Sequence, residues 1–409
     1  MNQQIYVQCR KCKSSFPYNT YVITCPDCGH GWLDAFYPSP AQSFTSGAAP
    51  ANLWRYREHL PLHHAENIVS LGEGWTPLLH AKQLGSQIGH AHIYLKDERQ
   101  NPTGSFKDRQ ASIAISMMKE AGIREAVVSS VGNVAIAYAA YAARAGIKLW
   151  IFVPEGIPDE KVRETAVYGP YIIKIPGTYD QTKQAAANYA KEHNLFLDRG
   201  IKGIAAKEAM KTIAYEIAEQ LGEPGLWQAP DWYLQSVSGG LGPVGVVKGF
   251  QELKEWGLVN KIPQLGCFQV DGCAPMVNAF EQKRPFAEPI RHPHTNIITL
   301  TTGDPGEAYE VLFELMTQHG GEMASVSDGE AYQALHTLAR TEGISVEPAT
   351  AVAIAGLIKF INQGIIRPDE TVVVNCSGHT MPVSEHILLN HPPRQSETQG
   401  SYFEQPEPV

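Results

Sequence analysis

In the stretch NPTGSFKDRQ (101–110), a glycine turn is followed by Phe106 and then by Lys107, which opens a helical pattern. A lysine there is either a solvated charge on a surface helix or an amine held at a pocket wall, where it can form a Schiff base. Three other loops bear on that choice. SSVGNVA puts Ser130, Val131, Gly132 and Asn133 at a strand-to-helix turn. SVSGGLGPVG puts Ser238, Gly239, Gly240, Leu241 and Gly242 ahead of a helix whose N-terminal N–H groups and dipole favour a phosphate. NCSGHT puts Ser377 just past an apolar strand.

A second group of residues has metal-ligand spacing. Cys9 and Cys12 form a CxxC pair, and after a spacer of twelve Cys25 and Cys28 form another in CPDCGHGW, with a tight-turn glycine behind it. Two thiolate pairs on turns make a tetrahedral four-sulfur site, and so small a module does not fold without its metal. A closed site of this kind is structural, since catalytic zinc keeps a non-protein ligand. Zinc is expected, with iron in a rubredoxin-like site as the alternative because the spacer is slightly short.

The elements that must position these residues follow from periodicity. AHIYLK, EAVVSS, IKLWIFVP, YIIKIPG, DWYLQSV, LGCFQV and ETVVVNC are strand-like, several apolar on consecutive residues as in strands covered on both faces. QASIAISMMKEAG, AIAYAAYAARAG, DQTKQAAANYAKEHN, AMKTIAYEIAEQLG, VGVVKGFQELKEWG and AYQALHTLARTEG are helix-like and mostly stopped by glycine. Regular alternation predicts an α/β fold of two doubly wound parallel-sheet domains, preceded by a small zinc-ribbon-like module built on the four cysteines. Ligands then belong at the carboxyl ends of strands, where the four loops fall.

With 409 residues, the chain is long enough for two core units plus attachments. The module spans 1–36, a Pro/Ser/Ala/Gly-rich linker 37–52, and a polar, proline-rich tail 392–409 is expected to be disordered. The balance of 33 basic against 42 acidic residues, a net charge of −9, argues against broad nucleic-acid or anionic-membrane binding. The start lacks a signal pattern and no apolar run approaches membrane-helix length, so a soluble cytoplasmic protein is expected. Cys267, Cys273 and Cys376 read as buried small hydrophobes, His379 as a loop histidine bonding backbone, and Glu347 as the anchor of a helix start.

One cofactor unites the four loops. Pyridoxal phosphate needs a lysine for its aldehyde, a phosphate cradle, and partners for its phenolic oxygen and ring nitrogen. Lys107, the turn of Ser238, Gly239, Gly240, Leu241 and Gly242, Asn133 and Ser377 supply one each. A competing reading takes Gly240, Gly242 and Gly245 as GxGxxG and Asp271 as a ribose-binding acid, which would make a nicotinamide-dependent oxidoreductase.

The stretches LGEGWTPLL (71–79), LKDERQNPTGSFKDRQA (95–111), SSVGNVA, KTIAYEIAEQLG (211–222), EGISVEPATA (342–351) and SGHT (377–380) occur in order. In them the sequence resembles the threonine synthase branch of the tryptophan-synthase-β-like, fold type II, pyridoxal-phosphate enzymes. The resemblance implies that Lys107 carries the cofactor, and that a small mobile domain (108–201) closes over a larger one (53–107 and 202–391). It also implies that Ser130, Val131, Gly132 and Asn133 lie over the substrate carboxylate and that the protein is a homodimer. A neutral Ser377 would leave the ring nitrogen unprotonated. The implied activity is elimination or replacement on a small amino acid, with O-phosphohomoserine to threonine as the first named reaction. The sequence departs where that family places an asparagine and an arginine for the substrate phosphate: Gly203 and Ala206 stand there, and Lys207 is no equivalent fork. Val131 and Val134 replace hydroxyl residues of the asparagine loop. A β-elimination or β-replacement, as in cysteate synthase or a serine/threonine dehydratase, is the alternative.

Overall fold

The computed structural model describes residues 5–19, 22–38, 49–130, 132–223 and 225–380. Val131, most of the linker, the last residues of the 202–391 segment and the 392–409 tail lie outside the described residues. Strands β1 (Tyr6–Cys9), β2 (Ser15–Pro17) and β3 (Leu33–Phe36) form an antiparallel sheet in the order β2-β1-β3. Val7, Leu33 and Ala35 turn inward and pack with Cys9 and Cys25 on Ile204 of the body. Each cysteine pair rides on a turn closed four residues on: Lys13 N–H to Cys9 O at 3.0 Å, Gly29 N–H to Cys25 O at 2.9 Å. Both closing residues are left-handed, Gly29 at φ 71 and Lys13 at φ 60. Lysine accepts that conformation at a cost of roughly 1–2 kcal/mol, where the second knuckle uses glycine.

In the body, β4 (Leu78–His80) and β5 (Ile93–Lys96) come first. Then β6 (Glu125–Ser129), β7 (Lys148–Pro154), β8 (Tyr171–Ile175) and β9 (Phe196–Leu197) form a parallel sheet ordered β8-β7-β6-β9. Finally β10 (Trp232–Ser236), β11 (Gln264–Val270), β12 (Gly321–Val326) and β13 (Val372–Asn375) join β4 and β5 in a sheet ordered β12-β11-β10-β13-β5-β4. The expected parallel arrangement holds except at β4, a three-residue edge strand that runs antiparallel to β5. Alternate residues of the larger sheet face two cores. Tyr233, Leu265, Cys267 and Val373 enter one, while Trp232, Leu234, Phe268, Val372 and Val374 enter the other. This two-sided burial explains the continuous apolar runs.

The helix Leu241–Glu255 lies close against Ile204–Leu221. A Cβ at Gly245 would stand 2.4 Å from Met210 Cβ, and one at Gly249 would stand 2.6 Å from Lys211 O. The last glycine of the GxGxxG pattern is therefore a packing residue.

The chain around Lys107 is held by a buried ionic clamp. Arg109 is fully buried and sends Nε and Nη2 to Glu98 at 2.7 Å each, with Nη2 also 2.7 Å from Glu216. Lys96 lies 2.7 Å from Glu216 and donates to Thr76 O at 2.7 Å, while Asn101 donates to Glu98 at 2.9 Å. The helix Lys107–Glu120, strand β5, the 71–79 segment and the helix Ile204–Leu221 are thereby tied together. Replacing Arg109 by Met would leave two buried carboxylates without their main cation, a loss of about 3–5 kcal/mol. Urea denaturation of Arg109→Met against wild type measures it, and an unchanged midpoint would show that the clamp does not hold these elements.

Candidate active site

Lys107 is the first residue of its helix, and the loop after β13 holds it in place. Ser105 bridges Gly378, and the Phe106 N–H donates to Ser377 O at 3.0 Å. Thr103 secures the preceding turn by donating its N–H and hydroxyl to Asp108, both at 3.0 Å. Burial pushes the Asp108 carboxyl up to about 7.

The loops after β6, β10 and β13 converge with Lys107 on a cavity of about 550 Å³. Its wall includes Lys107, Ser130, Gly132, Asn133, Ser238, Gly239, Gly240, Leu241, Gly242 and Ser377. Every described residue singled out in the four loops is thus in one place. Val131 lies outside the described residues. The Lys107 amine sits 4.0 Å from the Phe106 ring centre and has no hydrogen-bond partner among the described residues. Burial lowers its pKa to about 8, opposed by the charge of Glu347.

The far end of the cavity suits a phosphate. The helix Leu241–Glu255 starts on Gly240, left-handed at φ 79, with no side-chain cap and no acid in its first turn. Its first N–H groups have no intrahelical partners, so an anion is their natural complement. Gly242 packs close beside them, and a Cβ there would stand 2.3 Å from Gln235 Oε1. Ser238 and Thr302 share a hydrogen bond of 2.6 Å at the same wall. Asp271 is exposed and absent from the cavity wall, so the nicotinamide reading loses its ribose partner.

Ser130 spends its hydroxyl on its own loop. The oxygen accepts from Gly132 N–H at 3.1 Å and Ala135 N–H at 3.0 Å, so this side chain shapes the turn that starts the helix Asn133–Ala145. Asn133 donates Nδ2 to Glu347 at 2.8 Å and accepts from Lys161 at 2.9 Å. Ser377, buried, contacts Thr350 at 2.7 Å and donates to Glu347 at 3.1 Å.

Glu347 is the residue that sequence reasoning misplaced. It does precede the helix Pro348–Asn362, but its side chain makes no capping bond and faces the cavity instead. One signal was available: glutamate is outside the Ser/Thr/Asp/Asn set favoured at such a position. Ala206 is buried, and Lys207 turns from the cavity towards Ile201 O at 3.3 Å and the Trp32 ring at 4.5 Å. Cys267, Cys273 and Cys376 are buried as expected, and the His379 N–H donates to Gly104 O at 2.8 Å.

The four clustered cysteines stand apart from this cavity. Their Sγ atoms all lie within 4.8 Å of one another, close enough to hold one metal ion. His30 of the same module reaches Glu307 of the cavity wall at 2.7 Å, and Arg199, another wall residue, donates to Ile23 O at 3.1 Å. The ribbon therefore braces one side of the cleft. Among the described residues, no helix is long and apolar enough to cross a membrane.

Comparison with known proteins agrees with this geometry. The chain is 35% identical over 379 residues to threonine synthase of Methanocaldococcus jannaschii, covering 91% of each chain. It is 31% identical to threonine synthase of Methanosarcina acetivorans, over 94% of this chain and 93% of that one. Among solved structures it is similar in fold to the processed form of threonine deaminase isoform 2 from Solanum lycopersicum. That match has a TM-score of 0.66 at 19% identity, covering 85% of this chain and 96% of the other. Maize serine racemase matches with a TM-score of 0.65 at 20% identity, over 76% and 90% of the two chains. Residues 69–378, which include Lys107, Asn133 and Ser377, match the model of the pyridoxal-phosphate dependent enzymes, and the chain belongs to that family.

Proposed function

We propose that the chain is a threonine synthase, converting O-phosphohomoserine to threonine, with Lys107 as the residue that holds pyridoxal phosphate. The observation that carries the reading is the Lys107 amine, free of hydrogen-bond partners among the described residues and lining the same cavity as an uncapped helix start. The threonine synthases quoted above, similar along nearly the whole chain, support threonine as the product.

The residues fit the cofactor. The N–H groups at Leu241 and Gly242 would take its phosphate, Asn133 its phenolic oxygen and Ser377 its ring nitrogen. Pyridoxal phosphate, when bound, draws electrons from the bonds at the substrate Cα. Lys107 then takes the proton from Cα and returns protons to neighbouring carbons, a task suited to an amine whose burial holds it near 8. Threonine formation also consumes one water, whose oxygen becomes the β-hydroxyl while phosphate leaves Cγ, and closure of residues 108–201 over the cavity would keep bulk water from the proton transfers.

A β-elimination or β-replacement enzyme is the second reading, favoured by Ala206. The position that would carry a phosphate-binding arginine is a buried alanine, and Lys207 points away. Product analysis separates the two readings. Threonine and inorganic phosphate in equal amounts from O-phosphohomoserine support the first, while keto acid from serine or threonine, with O-phosphohomoserine inert, overturns it. Lys107→Ala should lower turnover by at least about 10²–10⁴-fold, the range for a lost acid–base group.

The amine also sets a pH dependence. Only neutral Lys107 attacks the cofactor aldehyde, so capture of pyridoxal phosphate by the cofactor-free protein should level off above pH about 8. Below that point it should fall about tenfold per pH unit. Stopped-flow absorbance measures the profile, and a flat one between pH 6 and 9 would remove the buried amine from the account.

In the ribbon, Cys9, Cys12, Cys25 and Cys28 hold a structural zinc in this reading. Cys12→Ser should lose the metal, seen by elemental analysis, and should lower the thermal midpoint. Retention of stoichiometric metal by that variant would rule out a four-thiolate site.

A further inference from the structure

Three cationic side chains besides Lys107 line the cavity, and they differ in what already satisfies them. Lys183 lies 2.6 Å from Asp180, and Lys202 lies 4.0 Å from Glu307. Arg199 has no carboxylate partner among the described residues. A guanidinium carries five N–H donors, and here one of them is spent, on Ile23 O at 3.1 Å. Acids of the same wall are occupied elsewhere. Asp198 accepts from Gly200 N–H at 2.9 Å and from the Tyr138 hydroxyl at 3.0 Å, while Glu307 meets His30 at 2.7 Å. Arg199 is therefore a half-buried charge with open donors at the cavity wall, and its planar fork matches a phosphate by two parallel bonds.

The ribbon places this side chain. Arg199 stands two residues past β9, on the connection into the helix Ile204–Leu221 and seven positions ahead of Ala206. Ile23 O holds one edge of its guanidinium, and the backbone of Gly31 packs against the rest. A Cβ on Gly31 would stand 2.4 Å from Nη2 and 2.9 Å from Cζ. Ile23 and Gly31 flank the second cysteine pair. A rotamer-rich side chain fixed in advance gives up less freedom when a ligand arrives.

We propose that Arg199 is the specificity-determining residue for the phosphate of the substrate, in place of the arginine absent at 206, and that the ribbon serves the cleft by holding it. This rests on the reading of O-phosphohomoserine as substrate. Arg199 is the group that touches the phosphate, and Gly31 is a positioning residue. The cofactor phosphate has its own cradle in the N–H groups at Leu241 and Gly242, so the two anions are bound by different groups.

Binding tests this without turnover. The full-length protein loaded with pyridoxal phosphate is titrated with L-2-amino-5-phosphonopentanoate, whose phosphonate cannot be eliminated as phosphate, and with L-norvaline, which lacks it. The change in cofactor absorbance reports each affinity. The wild type should prefer the phosphonate. Arg199→Met should weaken phosphonate binding by roughly 10–100-fold, the range for a lost charged hydrogen-bond partner, and leave norvaline binding unchanged. Gly31→Ala should lower the same preference by less, because its methyl displaces the guanidinium and leaves the charge in place.

An unchanged preference in Arg199→Met overturns the proposal, and so does an equal loss for both ligands, which makes Arg199 a general support of the cleft. Loss of bound pyridoxal phosphate from that variant also overturns it, by assigning Arg199 to the cofactor. Should Arg199→Met fail to fold, Arg199→Lys keeps the charge but not the fork. It should lose part of the preference, and losing none overturns the proposal. Gly31→Ala with the wild-type preference overturns the share given to the ribbon. A wild type that binds norvaline as tightly as the phosphonate refutes the O-phosphohomoserine reading itself, whereas a wild-type preference that survives in Arg199→Met refutes only the role of Arg199.

Discussion

The Arg109 guanidinium, locked between Glu98 and Glu216 with Lys96 behind them, is the interaction on which the rest of the body depends. Four side chains that would each be costly to bury alone are buried together, and each makes the others' burial tolerable. Removing one partner is expensive, because it leaves an uncompensated buried charge. Its members come from β5, from the turn Glu98–Gln100 just after it, from the first turn of the Lys107 helix and from the helix Ile204–Leu221. Lys107 stands two residues from the centre of this clamp, so its place at the cavity wall is set in part by groups that do not line the cavity.

The same logic extends to the ribbon. Glu208, Lys211, Lys248 and Glu252 form a second buried charge network along the packed helix pair, with Lys211 2.6 Å from Glu208 and Lys248 2.9 Å from Glu252. Lys248 reaches out of it to Ala35 O at 2.7 Å, and Lys207 reaches Asp34 at 3.4 Å. The ribbon is thereby attached to the very helices whose glycine-mediated contact aims the uncapped N-terminus of Leu241–Glu255 at the cavity. Through Glu307 and Arg199 the ribbon also touches the wall.

At the centre, Asn133, Glu347 and Ser377 of the cavity wall are joined by hydrogen bonds to one another and to Lys161 and Thr350 behind it. Lys161 orients Asn133, Asn133 and Ser377 donate to Glu347, and Thr350 and Ser377 share a hydrogen bond. A site of this kind presents fixed dipoles to whatever binds it, which is the preorganisation that electrostatic catalysis uses.

Much of this was legible in the residues themselves. The strands β6, β10 and β13 and the loops behind them follow from apolar runs ended by glycine, and the alternation of strand and helix fixes where those loops must gather. Cysteine spacing alone specifies the four-sulfur cluster. The short elements escaped: β4 and β9 are too brief to show a period, and β12, GEMASV, mixes glycine, glutamate and serine into its alternation. The role of Glu347 escaped for a different reason. Sequence determines which residues can ionise, bond or turn; only the tertiary structure decides which of them meet. Glu347 lies 214 positions from Asn133 and 30 from Ser377. The packing of three separate loops turns a helix-start glutamate into a buried acceptor for two side chains of the cavity wall.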